Sequence, residues 1–239
     1  MLYQTKGIIF HQVKYAETSL IVKVYTEQFG LQSYIIRGLR SKKSLIKPAL
    51  LQPMTPVEMI VYHKEKKDIQ HLKEIKIAYP FKSIPFDIRK SSVIIFLNEI
   101  LYQVIREEES NPGLFEFLYR SIVSLDRMEK GVSDFHLQFM MMLTTYLGFF
   151  PKGNFSQENS VFDMQEGIFV QQTISSNILI LKPYSEYFAR LIAAADEPPN
   201  INPLHRTILL EYLIRYYRVH IPGLKEIKSH QILQSVLND

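Results

Sequence analysis

The apolar pattern of this chain changes period once, at Tyr79-Pro80-Phe81-Lys82-Ser83-Ile84-Pro85, where two prolines within six residues interrupt any regular element. Upstream, short runs rich in β-branched and aromatic residues predict strands: Gly7 to Phe10, Ser19 to Tyr25, Leu31 to Ile36 and Val57 to Tyr62. Glu27-Gln28-Phe29-Gly30 supplies a turn between the second and third, and the charged His63 to Asp68 follows the fourth. A fifth strand is expected over Ile69 to Ile77. Five short strands in this length fit a small barrel, and the five-stranded OB type is the barrel most associated with single-stranded nucleic acid. An SH3-like barrel is the alternative.

Downstream the apolar spacing becomes helical. Val93, Phe96, Leu97, Ile100, Leu101, Val104 and Ile105 line one face of a helix expected over 87–108. Asn111-Pro112 and Asn202-Pro203 each offer a cap followed by a first-turn proline, predicting helices to about Lys130 and to about His220. Further helices are expected from Asp134 to Gly148, from a Ser185 cap to about Asp196, and over Leu224 to Leu237. Two apolar runs around a glycine-bearing turn, Ser160 to Val170, predict an isolated hairpin, which must be held by packing or by a ligand. The expected class is therefore α+β: a five-stranded OB-type β-barrel at 1–80, then a mostly α-helical domain at 81–239 carrying a small inserted β-hairpin near 160–170.

Charge follows the same division. Residues 1–80 hold 13 Lys and Arg against 6 Asp and Glu, a surplus of seven, whereas residues 81–239 hold 15 against 18. The whole-chain net charge of +4 thus hides a basic front and a mildly acidic back. The surplus concentrates in Arg37-Gly38-Leu39-Arg40-Ser41-Lys42-Lys43-Ser44-Leu45-Ile46-Lys47, five cations and no acid in eleven residues after a predicted strand.

Much chemistry is absent. Zero cysteine removes thiolate nucleophiles, cysteine-ligated zinc and iron–sulfur clusters together. The seven histidines show no His-Glu-x-x-His spacing, and there is no Gly-x-Ser-x-Gly, no Walker-type loop and no Gly-x-Gly-x-x-Gly. Glu107-Glu108-Glu109 reads as a solvated helix end, Met140-Met141-Met142 as core, and Asp163 with Glu166 as solvent-facing turn residues. No apolar run reaches about eighteen residues and the N-terminus lacks a signal-peptide pattern, so a cytoplasmic protein with no membrane partner is expected. No catalytic residue, metal or cofactor is assigned. Binding is the stronger reading than catalysis.

Non-specific nucleic-acid binding needs cations to meet phosphates and aromatic faces to meet bases. The candidate phosphate contacts are Arg37, Arg40, Lys42, Lys43 and Lys47, with Lys6 and Lys14 from the strands. Tyr15 and Tyr34 are the aromatics expected to be exposed. Arg215, Arg218, Lys225 and Lys228 either extend that path or form a solvated helix face. An interaction adaptor whose helical domain docks a partner, and an RNA-binding OB protein, are the competing classes.

The residues also carry a resemblance. Thr5 to Phe10, Tyr15 to Val22, Thr26 to Leu31, Arg37-Gly38-Leu39-Arg40-Ser41 and Leu50 to Met54 closely resemble the start of the bacterial RecO family of DNA repair proteins. The match continues more weakly through Tyr146 to Pro151, the hairpin and Lys228-Ser229. The resemblance implies an N-terminal OB-fold and a helical C-terminal domain. It further implies a mediator without catalytic residues that binds single- and double-stranded DNA, anneals complementary strands and helps load recombinase onto DNA coated by single-strand-binding protein (SSB). The implied partners are RecR and the C-terminal tail of SSB. Many relatives carry a four-cysteine zinc site after the position of Gly148 and around the hairpin. With no cysteine here, that metal is expected to be lost and the hairpin to be held by Val161, Phe162, Ile168 and Phe169.

Overall fold

A computed structural model describes residues 1–17, 19–37, 48–65, 67–171, 178–194 and 200–238. The chain forms two compact units, Met1–Arg127 and Met128–Asp239.

The first unit is built on a closed barrel of β1 (Leu2–Ala16), β2 (Ser19–Thr26), β3 (Gly30–Arg37), β4 (Pro56–Tyr62) and β5 (Ile69–Ile77), in the order β1-β2-β3-β5-β4. All neighbours are antiparallel except β3 with β5, which gives the OB arrangement. Period-two alternation sends Ile9, Val22, Val24, Tyr34, Ile36, Val57, Met59 and Val61 into the interior, where Leu51 of a short 3-10 turn (Pro48–Leu51) joins them. The barrel is tight: a Cβ on Gly7 would come within 3 Å of Val24 Cγ1 and Met59 Cε.

Helices α1 (Ile88–Val104) and α2 (Pro112–Arg127) belong to the same unit. Asp87 caps α1 through Arg89 N, and Asn111 accepts from Leu114 N at the start of α2. Phe10 stacks on Tyr25 at 5.8 Å, and Tyr25 meets Phe115 of α2 at 6.3 Å. α1 ends four residues earlier than its apolar spacing suggests. Ile105 is extended, and the Glu107 carbonyl accepts a hydrogen bond from Leu31 N at 3.0 Å. Glu107-Glu108-Glu109 is thus a non-helical segment laid on the start of β3. Gly30, with φ near +60°, lies so close to the Glu107 and Glu109 carbonyls that no side chain fits there.

The proline-bounded segment is fastened by one buried carboxylate. Asp126 accepts from the backbone N–H groups of Lys82, Ser83 and Ile84, each at 2.9 Å, and from the Tyr79 hydroxyl at 3.0 Å. The nearly buried Lys90 donates to Ser83 Oγ at 2.6 Å and to the Asp126 carbonyl at 3.0 Å.

The second unit contains α3 (Val132–Leu147), α4 (Tyr184–Ala193), α5 (Pro203–His220), α6 (Ser229–Asn238) and a three-stranded sheet of β6 (Val161–Asp163), β7 (Ile168–Val170) and β8 (Leu179–Ile180), ordered β7-β6-β8. Glycines in the left-handed region bracket α3, and Asn202 caps α5 by accepting from Leu204 N. The sequence gives no signal for β8, whose two residues are too short for a period. Ser185 is not a cap: it lies inside the first turn of α4 and donates to the Ser160 carbonyl at 2.6 Å, tying that helix to the hairpin. α6 begins at Ser229 rather than Leu224, after the turn at Gly223. Met140 and Met141 are core, as expected.

Candidate nucleic-acid interface

β4 pairs with β1 only over Leu2 to Ile8, so beyond Ile8 strand β1 pairs with β2 alone. Residues 11–17 are all exposed, and β1 here runs on beyond β4 as the outer strand of a ribbon that it forms with β2 and β3. The signal for this longer strand is the alternation Gln12-Val13-Lys14-Tyr15, which begins past a register shift between Ile9 and His11. Register places Ala16 opposite Ser19 and Ser19 opposite Arg37, with Lys14, Leu20 and Ile36 in the next row. Lys14, Tyr15 and Arg37 therefore meet at one end of the barrel. The first and third strands of that row are about 10 Å apart across β2, a spacing that one strand of nucleic acid can bridge. Arg37 is exposed, Tyr15 is 61% exposed and Val13 beside it 52%.

Arg37 is also the last described residue before position 48. Arg40, Lys42, Lys43 and Lys47 lie outside the described residues, and Arg37, which precedes their segment in the sequence, stands at the end of the barrel that Lys14 and Tyr15 share. Among the described residues at this end, Glu17 is the one acid on the β1–β2 connection. The other end is different in kind: Glu27, Glu65 and Glu107 to Glu109 gather there around Lys64, Lys67 and the terminal amine. Among the described residues, acids thus crowd the mixed end and not the Arg37 end.

Two sequence-predicted residues do not belong to this site. Tyr34 faces inward opposite Val22 and is fully buried, because alternation on β3 puts it in the same interior row as Ile36. Burial also pushes its hydroxyl pKa well up, and no base can stack on it. Lys6 is exposed but sits opposite Glu58 on β4, next to the row joining Gly7, Thr26 and Gly30. Arg37 lies seven residue steps along β3 from Gly30, roughly 23 Å, so Lys6 stands at the far end, its Nζ 5.7 Å from the Tyr119 ring.

One grouping escaped the sequence reading. Tyr102 of α1 lies 4.9 Å from His11 and under Lys23 Nζ at 5.6 Å, placing a ring and a cation beside the base of the ribbon. No local pattern links a helical tyrosine to strand residues 79 and 91 positions earlier.

The zinc implied for many relatives does not fit this chain. Where its ligands would stand, Lys152 N donates to the Gly167 carbonyl at 2.8 Å and Phe155 meets Phe169 edge-on at 5.9 Å, with Lys182 over the Phe155 ring. Asp163 is buried rather than solvent-facing, and its carboxylate is spent on Gln165 N and Glu166 N in the hairpin turn. Among the described residues no three His, Asp or Glu side chains converge on one point.

Comparison with known proteins agrees with this geometry. The family model for the Recombination protein O N terminal matches residues 1–81, and that for the Recombination protein O C terminal matches residues 85–159. The chain is 40% identical to the DNA repair protein RecO of Flavobacterium psychrophilum, 36% to that of Flavobacterium johnsoniae and 34% to that of Phocaeicola vulgatus, each over 100% of both chains. A solved asparaginyl-tRNA synthetase of Entamoeba histolytica is matched at 17% identity and a TM-score of 0.26, over 68% of this chain and 35% of that one. Among the described residues no helix is long and apolar enough to cross a membrane. A closed OB-type barrel followed by helices, matched by both domain models and by full-length relatives, makes this chain a member of the RecO family.

Proposed function

We propose that the protein is a DNA-binding, strand-annealing mediator of repair and recombination that acts by binding rather than by catalysis. In this reading Lys14, Arg37 and the cations of 38–47 take phosphates of single- or double-stranded DNA at the ribbon end of the barrel, and Tyr15 offers a ring to an unpaired base. Such contacts set affinity and position and read no sequence. Neutralising two complementary strands on one surface lowers the repulsion that opposes their pairing, which is how a basic protein speeds annealing. RecR and the C-terminal tail of SSB are the proposed partners in recombinase loading. The observation that carries the reading is the meeting of Lys14, Tyr15 and Arg37 at the end from which the acid-free cation run departs, in a chain of this family.

The test is binding of a fluorescent single-stranded oligonucleotide over a salt series. If the five loop cations each meet one phosphate, log K falls against log salt with a slope of roughly −3.5. Replacing Arg37, Arg40, Lys42 and Lys43 by alanine is expected to reduce the steepness of that slope by about 2.8 and to slow annealing of complementary strands. An unchanged slope in the variant would place the DNA path elsewhere.

A further inference from the structure

The second unit carries a ladder of rings on its surface. Tyr187 of α4 lies 5.0 Å from His205 of α5, His205 lies 5.6 Å from Tyr184, and Tyr184 lies 5.4 Å from Tyr212. All four are half-buried, so each keeps part of its surface in solvent. Their planes are inclined to one another by 34°, 67° and 50°, and none is stacked flat on its neighbour. A guanidinium stands at each end. Arg190 is exposed and lies over the Tyr187 ring at 5.2 Å, and the exposed Arg215 follows Tyr212 by three residues on the same face of α5. Two acids are near in sequence. Glu211 is turned toward α6, within 3.4 Å of Gln234 Nε2 and 3.6 Å of His230 Nε2, and Glu186 is half-buried on α4 between the two tyrosines.

We infer that this ladder is a second nucleic-acid site, in which unpaired bases stack on Tyr187, Tyr184 and Tyr212 while Arg190 and Arg215 take the flanking phosphates. Buried tyrosines in this unit behave otherwise: Tyr216 and Tyr217 spend their hydroxyls on the carbonyls of Phe149 and Met140 and have no accessible face. The ladder instead combines half-buried rings with exposed cations, and that pairing suits a polyanion whose bases have free π-faces. A duplex would not use it, because its bases are already stacked. The site therefore selects single strands, and with the barrel end it gives one chain two places to hold the two strands that annealing joins. The inference shares its ligand class with the proposed function but rests on different residues.

The experiment uses the full chain carrying alanine at Arg37, Arg40, Lys42 and Lys43, so that failure of the barrel site and failure of the ladder are read separately. Binding of oligothymidylate is compared with that of an abasic strand of equal length. With 14 tyrosines and no tryptophan, quenching of intrinsic emission reports stacking directly. In this background, oligothymidylate is expected to bind more tightly than the abasic strand and to quench the emission. Adding Tyr187→Ala and Tyr212→Ala is expected to weaken oligothymidylate binding by about tenfold or more and abasic binding little. Should that variant fold poorly, two others decide. Tyr187→Phe with Tyr212→Phe keeps the rings and is expected to keep affinity, whereas Arg190→Ala with Arg215→Ala, both exposed, is expected to reduce the salt slope by about 1.4. Equal binding of the two strands, no quenching, or a slope unmoved by the arginine pair overturns the inference. So does loss of binding to an acidic peptide alone, which would make the ladder a protein-docking face.

Discussion

Arg206 Nε donates to Asp134 Oδ1 at 2.8 Å, and both side chains are withdrawn from solvent inside the second unit. The pair is a junction rather than an isolated bridge. Arg206 also donates from Nη2 to the Ile201 carbonyl at 3.0 Å and from Nη1 to the Leu237 carbonyl at 3.2 Å, while Asp134 Oδ2 accepts from Ile201 N. One guanidinium thus joins the first turn of α3, the entry to α5 and the last turn of α6, where a cation also suits the helix dipole.

Removing one partner leaves the other charged, buried and unpaired. Asp134→Asn or Arg206→Met is therefore expected to destabilise the second unit by about 3–5 kcal/mol, read as a shift of the urea midpoint at unchanged m-value. A loss below about 1 kcal/mol would mean that water reaches the pair.

His136, on α3 and 1% exposed, lies beside this junction. Burial, reinforced by the nearby Arg206 charge, holds its pKa down at about 3. Its unfolded value is near 6.5, so between these limits the unfolded chain binds the extra proton. Stability is complete above about pH 6.5 and is lost as pH falls toward 3, at up to about 1.4 kcal/mol per pH unit. Denaturant titrations at pH 6.5, 5.75 and 5.0, above the range of ordinary carboxylates, are expected to show this decline. His136→Gln is expected to flatten it, whatever its effect on the absolute midpoint.

The barrel was legible because alternate residues of β2, β3 and β4 enter one closed interior, so Val22 and Val24, Tyr34 and Ile36, and Val57, Met59 and Val61 keep a period of two. Long-range facts were not. Asp126 fastens Lys82 to Ile84 across more than forty positions, and nothing local marks an aspartate late in a helix as the acceptor for a distant turn. Likewise the exposure of Tyr15 follows from where β4 stops pairing with β1, a property of closure and not of the residue itself. The ring ladder joins four residues from two helices whose apolar spacing reads as ordinary amphipathicity. The site's charge was visible, and its shape was not.

The hairpin tests whether packing has replaced metal. Phe162 is fully buried and sits 5.1 Å from Phe169, 5.2 Å from Phe188 and 5.5 Å from Tyr216. Phe162→Ala is expected to cost about 3–5 kcal/mol and Phe169→Ala somewhat less, since its ring reaches the edge of the cluster. The melting temperature of the unaltered protein is expected to be indifferent to a chelator or to added zinc. A chelator-induced drop would restore a metal to this unit.

Tyr15 and Tyr34 separate binding from folding on the same barrel. Tyr34→Ala empties a sealed interior site and is expected to destabilise the first unit by about 3–5 kcal/mol. Tyr15→Ala removes a ring that stands in solvent, so stability is expected to stay within about 0.5 kcal/mol. If Tyr15 stacks on an unpaired base, the same change lowers single-strand affinity by about 1–3 kcal/mol and leaves the salt slope alone, because no phosphate contact is lost. A slope change without an affinity change at low salt would instead mean that Tyr15 positions Lys14 or Arg37. Equal affinity at every salt concentration would remove the ribbon tip from the DNA path and leave the cation run to act alone.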